Sequence, residues 1–160
     1  MKAKQVMPQT LESFIKILPK EIQNYLEKSK QVPQTLKWHP EKWVYKHIEI
    51  VFDRARKTGD IDLVLTAIFH DLGKMDTTTS DPEKPDVHPS HGHERISTKL
   101  VLKHADWIEE MGGNLEKIHF LVANHMRMKT IDEMRPFKQE LLRSSEYFND
   151  LKKFTKIDTK

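Results

Sequence analysis

The sequence predicts an all-α fold, a single-domain helical bundle. Apolar residues recur at steps of three and four in segment after segment, and no stretch of useful length alternates in the manner of a strand. The punctuation between segments is that of helices, with Asp, Asn, Gly and Pro where helices start and stop. At 160 residues the chain is the size of one domain and long enough to bury a core without cross-links. The expected organisation is an N-terminal helical segment, 1–31, packed on a core module, 32–160.

Each element follows from local chemistry. Pro8 to Lys30 reads as helix, its apolar face running through Leu11, Phe14, Ile15, Ile17 and Leu18, with Pro19 breaking it before Ile22, Tyr25 and Leu26 restart the pattern. Gln31 to Pro40 carries two prolines and no period, and is expected to be an extended connector. Pro40 suits the first position of a helix to about Lys57, whose stripe of Trp43, Val44, Ile48, Val51, Phe52 and Ala55 includes His47.

Asp60 can cap the next helix, which is apolar on nearly every side from Leu63 to Phe69 and is therefore expected at the centre. It ends in His70-Asp71-Leu72-Gly73-Lys74, where Gly73 suits a C-terminal cap. Lys74 then lies near the negative end of the helix dipole or within reach of an anionic ligand. Asp76 to Ser90 reads as a mobile polar loop, placed to act as a lid. A long helix from Ser90 to Met111 follows and stops at Gly112-Gly113. Asn114 caps a helix with the face Ile118, Leu121, Val122 and His125; Pro136 opens another to Arg143. A last helix, Glu146 to Ile157, carries Phe148, Leu151 and Phe154, with Asp158 one turn on.

Composition narrows the chemistry. There is no cysteine, which excludes disulfides and thiolate zinc sites and leaves any metal to nitrogen and oxygen donors, so the nine histidines are the residues to follow. Met1 to Gln5 leads into no apolar signal core, and no run approaches the roughly 20 apolar residues that span a bilayer. A soluble, cytoplasmic protein with no membrane partner is expected. The 27 basic residues against 24 acidic ones give a net charge of +3, which permits a phosphate-bearing or nucleic-acid substrate without demanding one.

Burying a histidine beside a carboxylate is unfavourable unless hydrogen bonds, a counter-charge or a metal satisfies both. His70-Asp71 closes an apolar helix, and inward-facing histidines recur on successive helices: His47, then His93 or His91 at a helix start, then His125, with Asp158 beyond. Bundles build metal sites from clusters distributed in this way. Imidazole and carboxylate without thiol suit Mn, Fe, Co, Ni, Zn or Mg. Lone surface cations such as Arg95 and Lys129 read as solvated side chains as readily as phosphate contacts, and Trp38, Trp43 and Trp107 read as core or interface anchors rather than base-stacking platforms.

These residues resemble the HD-domain metal-dependent phosphohydrolases, whose signature is a His, a His-Asp doublet and a distant Asp, here His47, His70-Asp71 and Asp158. Val32-Pro33-Gln34, Trp38-His39-Pro40-Glu41, Phe69-His70-Asp71-Leu72-Gly73-Lys74, His91-Gly92-His93-Glu94 and Asn124-His125-Met126-Arg127 are similar to the HD domain of bacterial CCA-adding tRNA nucleotidyltransferases. The likeness spans Val32 to Asp158. The nucleotidyltransferase part of such enzymes has no counterpart here, so CCA addition is not implied. The module is expected to stand alone or work with a separate nucleotidyltransferase or other partner.

The resemblance implies that His47, His70, Asp71 and Asp158 hold one divalent ion, and that His93 and His125 complete a second site or contact phosphate. His93 is preferred to His91 as a ligand, and Asp150 is a less well placed substitute for Asp158. His70, Asp71 and Lys74 would carry attack of activated water on phosphorus, with His39, Lys74, His91 and Arg127 on the substrate. The implied activity is hydrolysis of nucleotide or RNA 3′-end phosphate esters, of 2′,3′-cyclic phosphodiesterase, nucleotidase or phosphatase type. A deoxynucleotide phosphohydrolase would instead show 2′-deoxy preference, and a non-catalytic regulatory module would hold a fully protein-ligated, inert ion.

Overall fold

A computed structural model describes residues 7–159, so the Met1–Gln5 stretch lies outside the described residues. Among those described, the secondary structure is ten α-helices and one 3₁₀ segment, with no strand. The all-α expectation holds.

Helices α1 (Leu11–Ile15) and α2 (Lys20–Ser29) are separated at Pro19 as the sequence predicts, and α1 starts with a reciprocal Thr10–Ser13 capping box. Both pack on α3 (Val44–Lys57) through Leu11, Phe14, Ile22 and Leu26, all fully buried. Helix α4 (Ile61–Phe69) is buried at every position from Asp62 to Phe69 and packs against α3, α6 (His93–Lys103) and α8 (Leu115–Asn124), which makes it the central helix. Its one internal carboxylate is accounted for: Asp62 Oδ1 accepts the Asn114 backbone N–H at 2.7 Å and Oδ2 pairs with Lys117 at 3.2 Å, tying the starts of α4 and α8 together. Helix α10 (Phe148–Thr159) closes the bundle against α3, α8 and the 3₁₀ segment Arg127–Glu133.

Three expectations about boundaries give way. Pro40 does not open α3: Gln31–Pro40 folds back and pairs with the chain ahead of the helix, the Gln34 N–H bonding to Lys42 O at 2.7 Å and the Val44 N–H to Val32 O at 2.9 Å. Lys42 takes a left-handed φ of 69° in that turn, so α3 begins only at Val44. Gly73 is not a left-handed cap, with φ −60°; the chain runs on into α5 (Lys74–Thr77). Glycine is required there for another reason, because a Cβ would overlap the His93 backbone carbonyl. The predicted Ser90–Met111 helix breaks at His104, whose ring docks on Glu21 of α2 at 2.7 Å, giving α6 and α7 (Ala105–Glu110). Helix α9 (Pro136–Arg143) begins at its proline as expected.

The loop after α5 is pinned at several points. Thr79 N–H donates to Pro89 O at 3.0 Å, Leu36 N–H to Asp86 O at 3.1 Å, and His88 N–H to Thr35 Oγ1 at 2.9 Å. The loop therefore lies against the 32–40 connector, beside the end of α4.

Candidate metal centre

The polar side chains gather at the C-terminal end of α4. His70 and Asp71 leave the helix as it ends, with His70 fully buried and Asp71 2% exposed, while α3 supplies His47, α6 supplies His93, the end of α8 supplies His125 and α10 supplies Asp158. One donor atom from each of His47, His70, Asp71 and Asp158 falls within 4.8 Å of the others. His47 Nε2 lies 2.8 Å from Asp158 Oδ1 and 3.4 Å from Asp71 Oδ2; His70 Nε2 lies 3.2 Å and 3.1 Å from the same two oxygens. Asp158 lies within α10 at 6% exposure, and Asp150 is outside the cluster.

A second group shares Asp71. Its Oδ1 is 3.0 Å from His93 Nε2 and 3.4 Å from His125 Nε2, and the two nitrogens face each other at 3.1 Å. Asp71 thus turns Oδ2 to His47 and His70 and Oδ1 to His93 and His125. The close approach of α6 that puts His93 here depends on bare Gly73 and on Ser97, whose buried hydroxyl accepts the Gly73 N–H at 2.9 Å.

The outer hydrogen bonds decide which ring nitrogen is free. Nδ1 of His70 faces Ala67 O at 2.8 Å, that of His125 faces Val122 O at 2.7 Å, and that of His93 faces Ser90 O at 3.0 Å. Carbonyls only accept, so each Nδ1 must carry the proton, leaving Nε2 as the ligating atom. His47 is held the same way by a carboxylate, Glu41 Oε1, at 3.1 Å. Four imidazoles therefore turn Nε2 lone pairs toward three carboxylate oxygens. At the His93–His125 contact the two lone pairs oppose each other unless one ring takes a second proton. This donor set fits divalent cations, with nitrogen and oxygen donors only.

With only protons to balance the site, its electrostatics are severe. Burial opposes charge on His70, yet the Asp71 and Asp158 carboxylates beside it carry its pKa up to about 10. Burial likewise raises the two carboxyls, but His70 with Lys74 at Asp71, and His70 with His47 at Asp158, hold both well below the usual carboxylate range. His125 is pushed down by burial, despite its hydrogen bond to Asp71.

Two lysines flank the carboxylates. Lys74, 7% exposed, sits 3.3 Å from Asp71 Oδ2 and donates to Gln34 Oε1 at 2.8 Å. Lys129 lies 3.3 Å from Asp158 Oδ2. Two cavities reach the centre. One, of about 380 Å³, touches Asp71, Lys74, His91 and His93; the other, of about 910 Å³, touches His47, Asp158 and Arg54. Trp38, His39, Met126 and Lys129 line both.

Not every expected site residue arrives. Arg127 lines neither cavity; its guanidinium donates to Asn124 Oδ1 at 3.3 Å and lines a separate hollow with Met134 and Leu141, because the 3₁₀ turn carries Lys129 to the centre in its place. His91 is exposed at the mouth of the smaller cavity, whereas His93 is buried in the cluster. Trp38 is 69% exposed and does not serve as a core anchor. Glu41 and Gln34 were not singled out as site residues by sequence pattern, whereas Lys129, which reads equally as a solvated side chain or a phosphate contact, lies at the centre.

A helical bundle whose middle helices each bring a histidine or aspartate to one buried cluster defines a class of metal-centre proteins. The HD domain family profile matches residues 44–150, and the chain belongs to that family, a superfamily of metal-dependent phosphohydrolases. The matched span includes His47, His70-Asp71, His93 and His125, and Asp158 lies beyond it. The chain is 31% identical over 107 residues to a multifunctional CCA protein of Methylobacillus flagellatus, covering 65% of this chain and 24% of that protein. It is 40% identical over 72 residues to a multifunctional CCA protein of Herminiimonas arsenicoxydans, covering 44% and 16%. The chain therefore spans at most about a quarter of the length of these relatives. No solved structure matches it significantly. Among the described residues, no helix is long and apolar enough to cross a membrane.

Proposed function

We propose that this protein is a divalent-metal-dependent phosphohydrolase acting on nucleotide or RNA-end phosphate esters. The observation that carries the reading is the outer hydrogen-bond set: Nδ1 of four histidines is tied to acceptors, leaving four Nε2 atoms aimed at Asp71 and Asp158. His47, His70, Asp71 and Asp158 would hold one ion, and Asp71, His93 and His125 a second. Bound divalent ions supply a Lewis acid for the phosphoryl group and make water acidic enough to act as a nucleophile near neutral pH.

The chain's own groups do the rest. Asp71 joins the two donor groups and would accept the proton of the attacking water. Lys74 and Lys129, each 3.3 Å from a ligand carboxylate, offset negative charge on phosphoryl oxygens. His39, its Nδ1 engaged by Glu41 at 3.0 Å, offers Nε2 at the rim shared by the two cavities, and His91 contacts substrate at the mouth of the smaller one. The RNA-end part of the reading is supported by likeness to proteins named multifunctional CCA proteins. Residues 32–160 would form the catalytic module, with α1 and α2 of the N-terminal segment packed on it, acting in the cytoplasm alone or with a separate nucleotidyltransferase partner.

The test is elemental analysis of wild type beside His70→Ala/Asp71→Ala, then a panel of cyclic phosphates, nucleoside phosphates and simple phosphomonoesters. One or two equivalents of metal and hydrolysis that both vanish in the variant are expected. Wild-type turnover no greater than the variant's, after loading with Mn, Fe, Co, Ni, Zn and Mg in turn, would sink the proposal.

A further inference from the structure

The two cavities at the centre differ in kind. The smaller one is walled by polar groups such as Thr35, Ser90, His91 and Glu94 and leads to Asp71 and Lys74. The larger, about 910 Å³, leads to His47 and Asp158 past Pro40, Ile50, Trp38 and Met126, with Arg54 as a cation in its wall. Its wall is mainly apolar, broken by a few charged groups, which is the usual make-up of a site for an organic ligand.

Trp38 is the informative residue. A tryptophan left 69% exposed, next to Met126 at 39%, forgoes burial that a core position would have given it. Its place is nevertheless fixed. The Trp38 N–H bonds to Thr35 O at 3.2 Å, His39 N–H bonds to the same oxygen at 3.0 Å, and Thr35 is itself held by the His88 N–H. The indole also attracts a cation, with Lys37 Nζ 4.7 Å from the ring centroid. An exposed indole on an anchored backbone at the rim of a wide cleft, beside a flexible thioether, is a platform for a flat ring. Arg54 commits one nitrogen to Ile157 O at 2.9 Å and keeps further donors for a polar edge.

We infer that the larger cavity binds the nucleobase of the substrate, stacked on Trp38 beside Met126, while its phosphate lies at the centre. The inference rests on the proposed function for the phosphate and adds the base. The smaller cavity shares Trp38 and Met126 but has less than half the volume, and Thr35, Ser90, His91 and Glu94 stand in its wall. Because Trp38 stands outside the donor cluster, base binding and metal binding are separable.

NMR titration of the protein, with metal as purified, separates the two readings. The probes are adenosine and ribose, neither of which carries a phosphate to hydrolyse. Adenosine should shift the Trp38 indole N–H signal and the amides of Ile50 and Thr130 in a saturable way, and ribose should not. A Trp38→Phe variant assigns the indole signal and keeps most of the affinity. Trp38→Ala, at an exposed position that leaves the core intact, should weaken adenosine binding roughly tenfold, as loss of one base–aromatic stack predicts. Equal responses to the two probes, no response at all, shifts confined to Ser90 and His91, or unchanged affinity in Trp38→Ala would each overturn the inference. A missing phosphatase activity would count against the proposed function and leave this titration unaffected.

Discussion

Glu41 Oε1 lies 3.1 Å from Nδ1 of His47, on the far side of the ring from the Asp158 contact at 2.8 Å. The carboxylate fixes the imidazole in the tautomer that leaves Nε2 free, and the same oxygen holds His39 at 3.0 Å. Such outer partners typically contribute 10- to 100-fold in metal affinity. Glu41→Ala should therefore weaken metal binding by roughly 10- to 100-fold, measured by chelator competition. Glu41→Gln keeps an acceptor oxygen and should fall between the two.

The two donor groups, one of four residues and one of three, share Asp71 and make a stoichiometric prediction. His125→Ala removes a donor from the Asp71–His93 group alone and should lose the ion of that group while keeping the ion of the other. His70→Ala should lose the ion of the four-residue group. Acidification towards pH ~6 should release metal from wild type, since a protonated imidazole cannot ligate. Elemental analysis after dialysis reads all three, and full occupancy at pH ~5 would contradict histidine coordination.

Gly73→Ala tests the contact that positions α6. The added methyl meets the His93 carbonyl, which is backbone and cannot swing aside. The helix start must retreat, carrying His93 from its 3.0 Å approach to Asp71. The expected result is a lower melting temperature together with loss of the second equivalent of metal, whereas Gly59→Ala, at a left-handed turn facing open space, should cost stability alone.

Away from the centre, Asp62 caps the α8 start and pairs with Lys117, so Asp62→Ala leaves both partners bare. A loss of about 2 kcal/mol is expected, the usual scale for hydrogen bonds to a charged group. Denaturant unfolding of wild type and variant measures it.

Tyr25 supplies a pH signature. Burial, then its hydrogen bond to Asp76 at 2.7 Å, pushes the phenol up to about 12. An unfolded tyrosine titrates near pH ~10. The folded state thus favours the neutral phenol, a contribution complete below pH ~10 and lost as pH rises through about 12. Asp76→Asn should lower the phenolate midpoint, read by absorbance, and shrink that alkaline loss.

How much of this was legible in the sequence depends on periodicity. His47, His125 and Asp158 each complete an apolar stripe, and His70-Asp71 interrupts one, so helix geometry alone brings them inward. Glu41 and Gln34 stand in irregular chain, and their positions follow from the backbone pairing of Pro33 with Trp43, which no period announces. Lys129 replaces Arg127 because three residues per turn, not 3.6, govern that segment. The exposure of Trp38 was not legible, because an aromatic between prolines gives no sign of which side of the chain faces solvent. The Gly73 position was recognisable as special, but the reason is a neighbour, the His93 carbonyl, twenty positions further along the sequence.

His47 and Asp158 are 111 residues apart in sequence. A metal ion held by both would be a cross-link as much as a reagent, closing a loop that takes in most of the domain and removing chain entropy from the unfolded ensemble. Its grip would fasten α10 to α3, so that undocking of the last helix would cost the ion its Asp158 ligand. Resistance to heat and to proteolysis would then follow the metal content of a preparation, and a chelator would act on this protein as a reductant acts on a disulfide.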